Sequence, residues 1–559
     1  MKELTYRMEF DPELDFEATP IWVLDASHCT PPWTPLAAWS WAIHCAHGGD
    51  GAMETVSLPY SSATWMRLVG GAVYYGFPGV KNEEEAKRRE AKFREWMRPY
   101  LEDYEKNWDG KPEKELMALW EPLKKFDVDN ASNYQLWLHI EDCFHAAYRM
   151  WYIHVLWNYI IWCPYVLLES LCKQFAGIDD TDPTFLKLVT GFDNKIFQVD
   201  RKIWQFSRKA IEMGLQDIFM NNGSKDVISQ LETTNSGRKW LSEFREFINE
   251  DGWRSQRKLD FNGPTWIEDP TPVIDIVKLY LKKRGEFDLD KQREKATKER
   301  ELAEREVLAK IPDEQKGLFT KILRIAQNAG VNSEGHVYYC EDQYYAITRR
   351  ALMALGRRYV KAGTFDSPDD IFFLLPEEIS MVIFEPLYFN LRPLIKRRRE
   401  EYERWQRKPS PPFLLKEGTT PDQVGPHLIR LADPIFFKSC LGSMPKAGVE
   451  LKADLYGQPG SPGVVEGSAR VLLDENELFK VKEGDILVAS NTAPSWTPVF
   501  NLIKGAVVDM GGSLAHAAVV GREFGIPVVT NTLTGTQKIK TGQRIRVDGN
   551  MGVVFFLDK

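Results

Sequence analysis

The chain has 559 residues, 43% of them hydrophobic and 27% charged, which allows for about two to four domains with sizeable apolar cores. A net charge of −8 argues against a general nucleic-acid binder, although a local basic pocket for a small acidic partner is compatible with it. Seven cysteines at irregular spacing, with no C-x-x-C pair, read as reduced thiols in a cytoplasmic protein and speak against a zinc site.

The opening MKELTYRMEFDPELDFE has no basic segment leading into an apolar one, so no signal peptide is expected. His44-Cys45-Ala46-His47 is too close-set to hold a metal, and none is expected. Helical spacing recurs over Asn82–Lys106, Tyr134–Cys172, Gln198–Met213, Ile274–Lys283, Lys291–Ala329, Tyr344–Ala362 and Pro376–Trp405. Within the second of these, WYIHVLWNYIIWCPYVLLES (Trp151–Ser170) is interrupted by His154, Asn158 and Pro164. It lacks the run of ~18 apolar residues that a spanning helix needs and reads as a buried aromatic helix, so no membrane partner is expected.

Between Lys408 and Gly460, KPSPPF, EGTTPDQVGP and YGQPGSPG mark a partly irregular connector. Short β-branched runs follow, punctuated by glycine: GVVEGSARVLL, GDILVAS, KGAVVDM, IPVVTN, QRIRVD and GVVFFL. A helix from about Leu514 to Phe524 interrupts them. In VVDMGGSLAHAAVVGREFGIPVV, a buried strand ends at Met510 and Gly511-Gly512 permits a tight turn. His516 then falls in the first turn of the helix, where free amides and the helix dipole favour an anion. An imidazole there can be phosphorylated, with Ser513, Thr492 and Arg522 as further donors to the phosphoryl oxygens. A glycine pair before a helix, or a lone histidine in it, also serves purely structural ends, so the residues alone leave the role of His516 open.

The order Gly-Gly-x-x-x-His-Ala-Ala-x-Val-x-Arg-Glu-x-Gly-Ile-Pro resembles the phosphohistidine swivelling domain of the phosphoenolpyruvate-utilising enzymes, and the likeness runs through SPGVVEGSARVL, KEGDILVASNTAPSWTPVF and KGAVVDMGG. That family usually places Ser, Thr or Cys immediately before the histidine; here the position is Ala515. ATPIWVLDASHCTPPWTPL, and the stretch SEGHVYYCEDQYYAITRRALMALGRRYVKAGTFDSPDDIFFLLPEEI with RPLIKRRREEYERW, resemble the substrate domain of rifampin phosphotransferase-like proteins. The sequence holds no G-x-x-x-x-G-K-[ST] loop. The resemblance extends to the phosphohistidine subunits of the phenylphosphate and 4-methylphenyl phosphate synthases. It implies an ATP-grasp partner subunit that uses ATP and Mg2+ to charge His516, with neither bound tightly by this chain, and a small phenolic acceptor.

The 18 Trp, 20 Tyr and 30 Phe suit a pocket for a flat ring, though each serves equally to pack helices. A phenolic hydroxyl, with a pKa near ~10, calls for a base or an orienting donor. On LHIEDCFHAAYRMWYIH, His139, Asp142 and His145 stand three apart on one helix and are the first candidates. His28, Trp33, Glu334 and His336 are the further pocket candidates.

The expected fold is multidomain: a mainly α-helical substrate domain over residues 1–407, a connector over 408–456, and a small β/β/α phosphohistidine swivelling domain over 457–559. The expected function is a cytoplasmic phosphotransferase subunit that passes a phosphoryl group from His516 to a phenol. A larger hydroxylated natural product as acceptor, or a phosphocarrier role, are the alternatives.

Overall fold

Strand β1 (Ile21–Leu24) is the unbroken apolar run IWVL, and all four of its side chains are buried. It takes the interior of an antiparallel sheet ordered β2-β3-β1-β4, with β2 (Trp65–Val69), β3 (Ala72–Gly76) and β4 (Phe413–Leu415). This computed structural model describes residues 14–558 except 26–27, 29–30, 255–258, 283–287, 385–388, 408–409, 421–422, 425–451, 474 and 493. Much of the expected connector at 408–456 therefore lies outside the described residues.

The chain divides into two compact units. The first comprises Met1–Ile160, Arg257–Gly263 and Tyr339–Phe437. In it, a helix over Pro35–Ser40 runs through a π-helical turn, Trp41–Cys45, into a helix over Ala46–Val56. Gly48 lets this rod lie against the long helix Asn133–Ala176, since a Cβ there would come within 2.7 Å of Trp151 Cβ and the Tyr148 carbonyl oxygen. The Pro376–Trp405 pattern forms two helices, Pro376–Met381 and Arg392–Gln406, with Pro393 in the first turn of the second.

The long helix has 44 residues and is apolar enough to cross a membrane by length and composition. Within the protein, 56% of its most apolar window is buried, and Trp151, Trp157, Leu168 and Cys172 have no exposed surface. This is the packing expected of the Trp151–Ser170 stretch. The division between the units falls inside this helix, after Ile160, where no change of composition marks it.

The second unit comprises Ile161–Gln256, Pro264–Tyr338 and Lys438–Lys559. Its helices Lys195–Glu212, Asn235–Asp251 and Thr271–Lys282 close around Trp240, Phe244, Val277 and Tyr280. The single helix expected over Lys291–Ala329 is broken into Leu289–Leu308 and Asp313–Val331, because Pro312 has no amide hydrogen to donate and takes the cap position of the second.

The C-terminal part of this unit is an eight-stranded mixed sheet ordered β5-β12-β11-β7-β8-β9-β10-β6. Its strands are β5 (Leu455–Tyr456), β6 (Gln458–Ser461), β7 (Val464–Leu472), β8 (Ile486–Ala489), β9 (Gly505–Val508), β10 (Val528–Thr530), β11 (Arg544–Asp548) and β12 (Val553–Phe556). The stretch β7-β8-β9-β10 is parallel. ILVA in β8 and GAVV in β9 are buried throughout, as strands covered on both faces must be. The helix His516–Phe524 packs on this sheet through Gly521, where a Cβ would meet Val528 Cγ2 at 2.4 Å. Phe524 at its end also packs on the Trp240 core of the helical part.

Candidate functional site

The site grows from the ends of two parallel strands. Pairing continues past β8 and β9, with the Asp509 amide donating to the Ala489 carbonyl at 3.1 Å and the Met510 amide to the Ser490 carbonyl at 3.0 Å. Ser490, Asn491 and Thr492 are thereby carried alongside the turn at Gly511. That glycine has φ +112°, and a Cβ there would stand 2.6 Å from Ala515 Cβ, so the chain doubles back tightly. Buried Asp509 fastens the turn from below, accepting from the Thr532 hydroxyl at 2.9 Å, the Thr536 amide at 3.2 Å and the Thr536 hydroxyl. Burial raises its pKa, against those hydrogen bonds.

Ala515 takes the cap position (φ −67°, ψ 151°) and, having no side-chain oxygen, caps nothing. The Ala518 amide, which a Ser or Thr cap would ordinarily bond, donates instead to the Ala515 carbonyl at 2.9 Å, and the positive end of the helix dipole at His516 favours an anion. His516 is the first residue of that helix. Its Nδ1 lies 2.8 Å from the Thr492 hydroxyl and its Nε2 3.1 Å from the Thr497 hydroxyl, while Phe500 meets the ring edge-on at 6.2 Å. Thr497 is held in place by its own 3-10 helix, Pro494–Asn501, through Trp496, Val499 and Phe500 in the domain core. A neutral imidazole so gripped donates to one hydroxyl and accepts from the other. It offers one lone pair to phosphorus once the accepting contact opens. Thr492 was legible as a partner of His516; Thr497, five residues further in SNTAPSWTP, was missed.

Ser513 and Arg522, expected at the phosphoryl group, are turned elsewhere. The Arg522 guanidinium is buried and donates to the Gly460 carbonyl at 2.9 Å and the Ser513 carbonyl at 2.8 Å, bracing the turn from behind. Burial draws its pKa down, against the pull of Glu523, Asp180 and Glu334. The Ser513 hydroxyl donates to Asp180 at 2.8 Å, a bond to the helical part of the same unit. Glu334 is buried in that part, and His336 Nδ1 sits against the Ser333 carbonyl.

Two more contacts fasten the β domain to this helical part. Glu523 accepts from the Gly191 amide at 2.9 and 3.1 Å, and burial lifts its pKa to about 7 despite the Gly191 and Phe192 amides and the nearby arginines. The Asn501 amide donates to the Tyr280 hydroxyl at 2.7 Å, which donates to Asp200 at 2.8 Å; burial raises Asp200 to about 6.

In the first unit, His139, Asp142 and His145 differ in burial. His139 is buried, stacked on Phe126 at 4.1 Å, and its pKa is pulled down to about 4 by burial, whereas Asp142 and His145 are exposed. Six residues turn the helix by about 600°, which sets His145 roughly 120° away from His139, so the two do not share the buried face. His28 instead has a partner the spacing did not reveal as such: its Nδ1 lies 3.0 Å from Asp25 Oδ1, which is itself buried, and the Tyr75 hydroxyl donates to Asp25 Oδ2 at 2.8 Å. Trp33 is buried, with its ring 5.4 Å from that of Trp41.

Residues 154–333 match the family described as the rifampicin phosphotransferase fourth domain, and residues 481–552 match the PEP-utilising enzyme mobile domain. The chain is similar to the uncharacterized phosphotransferase YvkC of Bacillus subtilis, 30% identical over 69% of this chain and 45% of the relative. It is 30% identical to chondramide synthase cmdD of Chondromyces crocatus over 97% of this chain and 14% of that protein. Against rifampicin phosphotransferase of Bacillus subtilis the identity is 30%, over 59% of this chain and 36% of the relative. The chain thus spans less than half the length of these curated relatives. The mobile-domain match encloses Thr492, Thr497, the Gly511 turn and His516, so the candidate site falls within a segment similar to the mobile domain of the PEP-utilising enzymes, in a chain that is also similar to rifampicin phosphotransferase.

Proposed function

We propose that this chain is the phosphohistidine subunit of an ATP-dependent aryl phosphate synthase working in the cytoplasm. The observation that carries the reading is the seat of His516: both ring nitrogens on threonine hydroxyls, at the start of a helix whose cap supplies no side chain. A separate ATP-grasp subunit, holding ATP and Mg2+, charges the imidazole. Thr492 fixes the ring through Nδ1 so that Nε2 faces phosphorus, and the Thr497 hydroxyl yields its place to the incoming group. The first-turn amides then meet the phosphoryl oxygens. The loaded histidine passes its group to a phenolic hydroxyl, a two-step covalent transfer that divides one difficult displacement into two easier ones.

The similarity to rifampicin phosphotransferase favours a second reading, in which the acceptor is a larger hydroxylated natural product. Intact-mass analysis of the chain with an ATP-grasp partner and MgATP, with and without 4-methylphenol, separates these. One acid-labile phosphate is expected, absent from His516→Ala and discharged by the phenol. A label that forms and ignores phenols moves the acceptor to the second reading. Absence of any label with a competent partner overturns the phosphohistidine role.

A further inference from the structure

We propose that the acceptor hydroxyl is received in the first unit at His28, backed by Asp25 and Tyr75 and walled by Trp41, and that His28 takes its proton. This rests on the reading above, that His516 delivers a phosphoryl group to a phenol.

Asp25 is buried to 1% exposure and accepts from the His28 amide at 3.2 Å, the His28 ring at 3.0 Å and the Tyr75 hydroxyl at 2.8 Å. Burial pushes the carboxyl up, but the charge and hydrogen bonds of His28 outweigh it and hold Asp25 below the usual range. An ionised carboxylate at Nδ1 fixes that nitrogen as the N–H and Nε2 as the lone-pair nitrogen, and it stabilises the imidazolium that forms when Nε2 gains a proton.

The surroundings suit an aromatic hydroxyl. The His28 ring lies 4.6 Å from Trp41, which lies 4.6 Å from Trp151 and 5.4 Å from Trp33. Trp41 opens the π-helical turn Trp41–Cys45, a backbone form that recurs at functional sites. Its buried indole N–H has no hydrogen-bond partner among the described residues, a donor that an acceptor oxygen would satisfy. A second histidine–carboxylate pair, His154 Nε2 to Glu341 Oε1 at 3.0 Å, stands beyond Trp151. The His154 side chain is 5% exposed and closed in, whereas the His28 side chain is 13% exposed and can meet a ligand from solvent.

In the transfer, the phenol O–H bond breaks and its proton goes to Nε2 of His28. The phenolic oxygen bonds to phosphorus, and the P–N bond to His516 breaks with its electron pair returning to that imidazole. The His28 imidazolium then releases its proton to water, which restores both histidines.

The full chain, loaded chemically with potassium phosphoramidate, is mixed with 4-methylphenol, and 4-methylphenyl phosphate is followed by phosphorus NMR. His28→Gln is expected to load as the wild type does and to form the aryl phosphate at least ~100-fold more slowly. Bound 4-nitrophenol is expected to shift toward its phenolate absorption on the wild type and to keep its neutral band on His28→Gln, a signature that a purely structural histidine would not produce. Discharge by His28→Gln within about twofold of the wild type overturns the proposal. If that variant fails to load, Asp25→Asn is judged by the same ratio. A wild type that loads and passes nothing to 4-methylphenol overturns both this proposal and the phenol reading, and one that never loads overturns the phosphohistidine role itself.

Discussion

The Thr497 hydroxyl stands 3.1 Å from Nε2 of His516, while Thr492 holds the opposite nitrogen at 2.8 Å. The ring is therefore oriented by two uncharged groups, each able to donate or accept. Thr497→Val keeps the shape and removes the hydroxyl. This contact has to open before Nε2 reaches phosphorus, and one such hydrogen bond is worth about 1 kcal/mol, so loading of His516 by phosphoramidate should quicken by roughly fivefold. Thr497→Ser should return it to the wild-type rate, and a valine variant that loads at the wild-type rate would show that the contact does nothing for the reaction.

Gly511→Ala should be costly out of proportion to its size. The position combines φ +112° with a Cβ contact of 2.6 Å to Ala515, and a non-glycine residue held there costs about 1–3 kcal/mol. The expected outcome is a lower melting temperature with circular dichroism unchanged at room temperature, and a loss of loading, because the displaced turn carries His516 with it.

The second unit should be firmer in mild acid than in mild base. The Glu523 carboxyl rises from an ordinary 4.5 to about 7 when folded, so the folded state keeps a proton that the unfolded state has lost. Stability is then fullest below pH 4.5 and declines as the pH climbs through 7, by up to about 3 kcal/mol. Asp200, raised to about 6, acts in the same direction. Melting curves between pH 5 and 8 should show the decline, and Glu523→Gln should flatten most of it.

The first unit should respond with the opposite sign. Burial lowers His44 to about 3 and His139 to about 4 from an ordinary 6.5, so protons bind the unfolded chain first and stability falls as the pH drops below 6.5. His139→Phe keeps the stack on Phe126 and removes one titration. Its acid unfolding, followed by tryptophan fluorescence, should begin at lower pH than that of the wild type.

What the sequence disclosed followed from how local each signal was. The strands of the β domain and the His516 helix are written in β-branched runs and a glycine pair, features that act within a few residues. Thr492 could be named because its segment accompanies the histidine motif. The roles of Ser513 and Arg522 could not, because their partners are decided by folding: Asp180 lies 333 positions from Ser513, and Gly460 lies 62 from Arg522. His139, Asp142 and His145 misled because identical spacing along a helix says nothing about which member faces inward. His28 could be named from its motif but its tie to Asp25 could not, and the buried Tyr75 that completes the group comes from a strand fifty residues on.

The bond from Gly191 to Glu523 has an unequal ancestry built into it. Its donor is a backbone amide, which every residue except proline would supply, at a site kept as glycine by φ +85° and by Arg300 at 3.0 Å from where a Cβ would lie. Its acceptor is a single carboxyl that one codon change can shorten, neutralise or delete. Drift in the donor can distort this attachment but hardly retune it, so inherited variation in its strength has to be written in Glu523 and in the charges of Arg300 and Arg522 beside it.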